Sequence, residues 1–187
     1  KVIGEQLIRE KIRPDLEWSI LRPTSLWGPW FDVPYRSFFD AVRAGWFMMP
    51  ANLKVYRSYG FVLNSVEQIV ALVGTVKESM LYKVHYLADQ EPIELSDWAN
   101  KVIECSAGGK IYRPPWFILN IAAKLGDFLK LIGVSSPPLT SFRFKNMTTN
   151  AIYETDSWRE IYGEQRYSTH EGVRITVDWL DSVTSGD

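Results

Sequence analysis

Trp18-Ser19-Ile20-Leu21-Arg22-Pro23-Thr24-Ser25-Leu26-Trp27-Gly28-Pro29 is the stretch that decides the fold. Its first part, Trp18 to Leu21, is a short apolar run rich in β-formers and reads as a buried strand. Pro23 removes a backbone donor and biases Arg22 towards extended geometry. Trp27-Gly28-Pro29 is a turn signal. A buried strand that ends in a small polar pair, Thr24 and Ser25, and then a loop is the way α/β enzymes present groups to a ligand. Their sites lie beyond the carboxyl ends of parallel strands.

The segment resembles the Arg-Pro-x-x-x-x-Gly-Pro strand end of the extended short-chain dehydrogenase/reductase superfamily, the NAD-dependent epimerase/dehydratase group. The resemblance implies that the backbone at Pro23, Thr24 and Ser25 lies against the nicotinamide half of NAD or NADP. It implies that the following loop, residues 30–36, meets the substrate, with Ser25, Trp27 and Tyr35 as contacts.

Upstream, Val2, Ile3, Leu7, Ile8 and Ile12 are spaced as one apolar stripe of a helix that ends by Pro14 and Asp15. The chain starts on Lys1 with that helix already under way, so we expect the C-terminal part of a longer protein. In the resembling family a Tyr-x-x-x-Lys motif heads a helix reading Lys-x-x-x-Glu-x-x-apolar. Lys1, Glu5 and Leu7-Ile8 match it. Lys1 would then be the motif lysine, which lowers the pKa of a catalytic Tyr four positions earlier and holds the nicotinamide ribose. A solvated terminal lysine is the alternative. The stripe could pack against a twin helix in a homodimer, as in the family, or into the core.

Downstream, Phe38, Phe39 and Val42 suggest a helix stopping at Gly45, and residues 46–56 read as a loop and a short strand. Arg57-Ser-Tyr-Gly-Phe-Val-Leu-Asn-Ser-Val-Glu-Gln-Ile-Val70 resembles the family's Arg-Asp-Phe-x-Tyr-Val-Asp-Asp-Val-x-x-Ala-Ile stretch. Arg57 matches the arginine that grips the substrate diphosphate in nucleotide-sugar members, and a planar guanidinium suits that task. A surface salt bridge is its other reading. Leu63 and Asn64 replace the family's two acids, and Asn64 with Glu67 is spaced as a capping box.

Lys83 to Ala88 reads as a strand, Asp89 to Pro92 as a turn, and Ser96 as the cap of a helix over residues 97–106. Trp116 to Ile132 is strongly apolar with helical spacing and few basic residues, which favours a buried or lid helix over a membrane-surface one. Followed by Pro137-Pro138-Leu139-Thr140, it looks like the subset that includes 3β-hydroxysteroid dehydrogenases. Near the end, Ser168 and Glu171 form a capping box, and residues 171–180 match the family's closing helix, held down by Trp179 and Leu180. The tail from Thr184 to Asp187 is expected to fray.

Composition narrows the classes. The 187 residues suffice for a domain with a sizeable core. The net charge is −1 and no basic block stands out, which argues against nucleic-acid binding. No apolar run reaches the length of a membrane span, and the start does not read as a signal peptide. Cys105 is the single cysteine, so it reads as a small buried hydrophobe in a reducing, cytoplasmic setting. His85 reads as a core histidine and His170 as an exposed one; with one cysteine they give no zinc spacing.

No Gly-x-x-Gly-x-x-Gly follows a strand. The expectation is therefore α/β: the C-terminal portion of an extended Rossmann-type dehydrogenase/reductase. Residues 1–30 would end the NAD(P)-binding domain, and 31–187 would mainly form a small α/β substrate domain, with about 55–76 returning to the Rossmann part. The resemblance implies a parent that acts on a nucleotide sugar as an NAD(P)-dependent epimerase or dehydratase, with the fragment itself inactive. A reductase of the 3β-hydroxysteroid type and a non-catalytic NAD-binding interaction protein are the alternatives.

Overall fold

The computed structural model describes residues 2–184 apart from 12, 14, 34, 75–77, 107 and 136. Lys1, the end of the first helix around Pro14, and the last three residues of the tail therefore lie outside the described residues. The fold is α/β. The described residues hold eight short strands: β1 (Ile20–Pro23), β2 (Ser25–Trp27), β3 (Phe47–Met48), β4 (Tyr56–Arg57), β5 (Tyr59–Phe61), β6 (Val84–Leu87), β7 (Ile93–Glu94) and β8 (Ile111–Tyr112). Eight α-helices accompany them: α1 (Val2–Lys11), α2 (Tyr35–Arg43), α3 (Val62–Gly74), α4 (Leu95–Cys105), α5 (Trp116–Leu131), α6 (Ser141–Thr148), α7 (Ser157–Tyr162) and α8 (Thr169–Thr184).

The opening stretch is two strands. β1 starts two residues later than expected and pairs in parallel with β6, from Ile20 opposite Val84 to Pro23 opposite Leu87. The chain then changes partner. β2, expected as a loop, pairs in parallel with β5, with Ser25 opposite Tyr59 and Trp27 opposite Phe61. Pro23 has no N–H to offer, so the β1 ladder can end there. Thr24 makes the joint: its N–H (3.2 Å) and its hydroxyl (2.8 Å) both donate to the Leu87 carbonyl. The Asp89 N–H donates to the Tyr59 carbonyl at 2.9 Å and ties the end of β6 to β5. Elsewhere β3 runs parallel to β8, and β4 antiparallel to β7.

The main core lies where β2 and β5 meet α2, α4 and α8. Trp27, Phe39, Phe61, Trp98, Val173 and Val177 are buried in it. Trp27 packs against Phe61 (ring centroids 5.0 Å), Trp98 (5.2 Å) and Phe39 (6.0 Å). Gly172 is where α8 closes on this block: a Cβ there would meet the Trp27 ring at 2.8 Å. The α8 capping box forms as expected, with Glu171 accepting from the Ser168 N–H (2.9 Å) and Ser168 Oγ accepting from the Glu171 N–H (3.3 Å). His85 sits in the core at 2.9 Å from the Met80 carbonyl, as its apolar neighbours suggested, and His170 is exposed.

Several expectations are corrected. Asn64 does not cap α3; it lies inside the helix and is buried. Its amide donates to Asp89 Oδ1 and to the Tyr167 carbonyl, both at 2.9 Å, and its carbonyl oxygen accepts from the Tyr167 N–H at 3.1 Å. Glu94, not Ser96, caps α4, taking the N–H groups of Ser96 (3.1 Å) and Asp97 (2.8 Å). β1 is only half-buried. The apolar stripe of α1 is not core, because Val2 and Ile3 are 74% and 73% exposed and no α1 residue is buried. The helix is held through Glu5, whose carboxylate takes the Arg22 guanidinium at 2.6 and 2.8 Å, and this partner lowers the Glu5 pKa. The α3 face of Val66, Ile69, Val70 and Val73 is likewise exposed; that helix buries Asn64, Ser65 and Gln68 instead. Only Leu119, Ala123 and Gly126 of α5 are buried, so it lies on the surface rather than inside.

Asp89 is the buried carboxylate at the centre of these contacts. It accepts from the Phe61 N–H at 3.1 and 3.2 Å and from Asn64. Burial pushes its pKa up to about 6, against the opposing pull of those donors. A raised folded pKa means that its contribution to stability is complete below the unfolded value near 4 and is lost as pH rises through 6. The loss is about 3 kcal/mol at ~1.4 kcal/mol per pKa unit. We therefore expect the stability difference between the native chain and Asp89→Asn to fall by that order between pH 4 and 6.5, read by urea unfolding at each pH. A difference that stays flat, or rises, would refute the assignment.

Candidate functional site

Beyond the carboxyl end of β1, where β2 begins, lies a cavity of ≈ 370 Å³. That is within the range of small-molecule pockets. Ser25 from β2, Tyr35 from the start of α2, Arg57 from β4, Tyr59 from β5 and Asn146 from α6 are its polar lining. Its floor is aromatic: Phe38 stacks on Trp98 at 4.1 Å and 13°, and Tyr59 meets Trp98 edge-on at 5.5 Å. Each polar group is there for a local reason. The β2–β5 register sets Ser25 opposite Tyr59. Tyr35 begins α2, and its hydroxyl donates to Ser25 Oγ at 2.6 Å. Arg57 is carried by β4 through its pairing with Ile93 and its bridge to Ala151.

Arg57 carries the unspent charge. Its buried Nε has no hydrogen-bond partner, and it pairs with no carboxylate among the described residues. A guanidinium in that state suits an anionic oxygen, which it binds in a forked geometry. It offers no evidence for the surface salt bridge that was its other reading. Burial raises the Tyr59 hydroxyl above its usual pKa, so Tyr59 is a neutral donor here.

Three residues singled out in the sequence, Ser25, Tyr35 and Arg57, thus share one cavity. Pro23 is exposed at the strand end, while Thr24 spends its hydroxyl on Leu87 and leaves only its backbone position to a ligand. Trp27 does not line this cavity: only 1% of it is exposed and it lies in the aromatic core, and with Tyr35 and residues 30–33 it lines a neighbouring cavity of ≈ 320 Å³ instead. Ser25 and Trp27 flank Leu26 and so share one face of β2; Ser25 stands at the cavity, while Trp27 lies beneath its floor, against Trp98 and under Gly172 of α8. Lys1 lies outside the described residues. Tyr59 and Asn146 were not foreseen. Tyr59 stood within a quoted motif without a role, and Asn146 reaches the site through α6 from far along the chain.

A second cavity, ≈ 530 Å³, adjoins the first through Phe47 and Met147, which line both. Its other walls come from α2, β3, α5 and the pair Pro138–Leu139. Cys105 is half-buried, with its pKa raised by burial, and lies 3.9 Å from His170 Nε2. Among the described residues no group of three His, Cys, Asp or Glu could hold a metal, and no helix is long and apolar enough to cross a membrane.

No protein-family model and no curated protein matches the chain. Solved structures do match. UDP-glucose 4-epimerase of the hyperthermophilic eubacterium Thermotoga maritima, solved with UDP-glucose, aligns at TM-score 0.61 and 16% identity over 98% of this chain and 51% of that one. UDP-glucuronic acid 4-epimerase of Bacillus cereus, solved with NAD, aligns at TM-score 0.63 and 12% identity over 100% and 50%. An NAD-dependent NDP-hexosamine 5,6-dehydratase of tunicamycin biosynthesis aligns at TM-score 0.59 and 16% identity over 97% and 50%. The chain has the fold of half of an NAD-dependent epimerase or dehydratase, and spans about half the length of the structures it matches.

The Tyr35–Ser25 bond is the joint that holds the mouth of the polar cavity. A double-mutant cycle of Tyr35→Phe and Ser25→Ala, read by urea unfolding, should return a coupling of about 1 kcal/mol. Additive losses would mean that the two hydroxyls act separately.

Proposed function

We propose that the chain is the C-terminal half of an NAD(P)-dependent epimerase or dehydratase that acts on a nucleotide sugar. The single observation that carries this is the unpaired Arg57 guanidinium beside Ser25 and Tyr35, in a cavity at the carboxyl end of a parallel strand pair. That position is where open α/β sheets take their ligands, and Arg57 would hold the substrate's diphosphate. The fold matches the same class of enzyme at low identity.

Residues 1–30 are assigned to the end of the dinucleotide-binding domain, and 31–187 mainly to the substrate domain. The segment 55–76 (β4, β5 and α3) rejoins the first through the β2–β5 pairing, which supports its return to that side. The other edge of β1 has no strand on it among the described residues, and the outer face of α3 is apolar and exposed. Both are surfaces for the half of the sheet that this chain does not contain. The exposed stripe of α1 is left for a second copy, in a homodimer.

Among the described residues we assign the cofactor to the strand end Pro23–Ser25, where Pro23 is exposed and the Thr24 side chain is tied back. The nicotinamide, when bound, supplies a hydride acceptor and donor. The residues here would orient the substrate against it: Arg57 fixes the charged end, and Ser25 and Tyr35 offer hydroxyl groups to the sugar. The general acid/base would be the tyrosine four positions before Lys1. A second reading keeps this redox chemistry but takes an apolar alcohol, and the second cavity is what favours it.

The test is calorimetric titration of the full-length protein with NAD, NADP, UDP-glucose and UDP-glucuronate. We expect one dinucleotide and one nucleotide sugar to bind. Arg57→Met should weaken the sugar by ten- to a hundredfold, as loss of a charged hydrogen bond of ~1.5–3 kcal/mol requires, and leave the dinucleotide unchanged. Absence of dinucleotide binding, or nucleotide-sugar binding indifferent to Arg57, sinks the reading.

A further inference from the structure

We propose that the second cavity is a ligand site for the apolar body of an amphipathic anion, whose charged end lies at Arg57 in the first cavity. The inference rests on the Arg57 reading for the head group only; the apolar site belongs to this chain alone.

The cavity's chemistry is one-sided. Met48, Ile118, Leu119, Ala122, Leu125 and Leu139 are representative of its walls, which carry no charged side chain and, apart from the Trp46 indole, no polar one. At ≈ 530 Å³ it exceeds any packing defect of a close-packed interior and falls in the range of ligand pockets. Nor is it slack between loosely docked elements. Gly126 brings α5 so close to the Leu139 carbonyl that a Cβ would sit 1.7 Å from that oxygen. Asp127 Oδ1 accepts from the Ser141 N–H at 3.1 Å, and Arg143 donates to the carbonyls of Pro137 (3.0 Å) and Pro138 (3.2 Å). Leu119, Ala123 and Phe144 seal α5 against α6 beneath it. The walls are thus fixed while the space between them is left open.

Such a space selects its occupant. A peptide would bring N–H and C=O groups that these walls cannot satisfy, at a cost of at least ~1–3 kcal/mol each. Burying aliphatic or polycyclic carbon is favourable at about 25 cal/mol per Å². The cavity therefore suits a small molecule with an extended apolar part. The polarity of the ligand follows from the shared walls. Phe47 and Met147 line both spaces, so a molecule lying across them passes from an all-apolar environment to Ser25, Tyr35, Asn146 and the unpaired Arg57. Fatty carboxylates, sterol sulfates and prenyl phosphates share this chemistry.

cis-Parinaric acid, a carboxylate whose fluorescence rises in apolar surroundings, is the probe, titrated into the full-length protein. We expect saturable binding of one equivalent. Ala122→Phe, at an exposed position that lines the cavity, should weaken it at least tenfold without lowering the unfolding midpoint. Arg57→Met should weaken it about tenfold and Arg57→Lys less, while parinaryl alcohol should not distinguish the three. Displacement by oleate, cholesterol sulfate or farnesyl phosphate identifies which body fits best. No saturable binding, or binding untouched by Ala122→Phe, overturns the site, because the probe is then absent or adsorbed on the exposed faces of α1 and α3. Binding lost in Ala122→Phe but indifferent to Arg57 overturns the two-cavity ligand. The nucleotide-sugar titration is scored separately, so the two readings fail by different measurements.

Discussion

The rest of the structure depends on one buried carboxylate. Asp89 follows the end of β6 and receives the backbone N–H of Phe61, the last residue of β5, together with the amide of Asn64. Asn64 in turn holds both backbone groups of Tyr167, just before α8 begins. A single acid therefore links a strand end, the first turn of α3 and the approach to the closing helix. Removing a charge from water is expensive unless its lone pairs are met. Here they are met by groups that would themselves be orphaned without it, so the sign of the cost depends on pH.

The bend at Thr24 divides the labour of the central strand. Up to Pro23 the chain belongs to β6; beyond it, to β5. Beyond it Ser25 and Trp27 share one face of β2, Ser25 at the polar cavity and Trp27 deeper, in the aromatic core against Phe39, Phe61 and Trp98. Trp98 serves both sides, stacked on Phe38 at the cavity floor and packed on Trp27 within. The site therefore rests on the most densely aromatic part of the molecule. That rigidity is what allows Arg57 to be kept without a partner, since a mobile wall would let it reach water or a surface acid.

How much of this was legible in the sequence follows the range of the interactions. The α8 capping box spans three residues and was readable, as were α2 with its stop at Gly45 (φ 73°) and the core setting of His85. Asn64 was misread because its true partner, Tyr167, is far away in the chain; locally it looked like a cap. Ser96 looks like a cap for the opposite reason, since Glu94, two residues earlier, already opens the helix by taking the N–H groups of Ser96 and Asp97. Ser25, Tyr35 and Arg57 could be nominated from motif positions, but that they share a cavity with Asn146 depends on α6. Trp27 was nominated for the site because a tryptophan beside a ligand loop and one beneath it look alike in one dimension. The apolar stripes of α1 and α3 were visible as periodicity, yet periodicity reports an apolar face and not what covers it.

Those uncovered surfaces differ in kind, and the difference assigns them. The free edge of β1 presents backbone N–H and C=O groups that only another strand can pair fully. The α1 and α3 faces are apolar on helices whose other sides are polar or already engaged, and so are suited to broad packing against protein. The cavity beside α5 offers neither feature. It has no free strand edge, and it is a recess between elements instead of a flat face. Completing the sheet would cover the strand edge and could bury the two helix faces, but it supplies nothing that fills a recess bounded by β3, α5 and Leu139. A folded partner satisfies backbone and buries flat area; a recess whose one polar side chain is the Trp46 indole is satisfied by a molecule that is apolar at that end. The exposed apolar surface of this chain therefore answers to two kinds of occupant, and only one of them is protein.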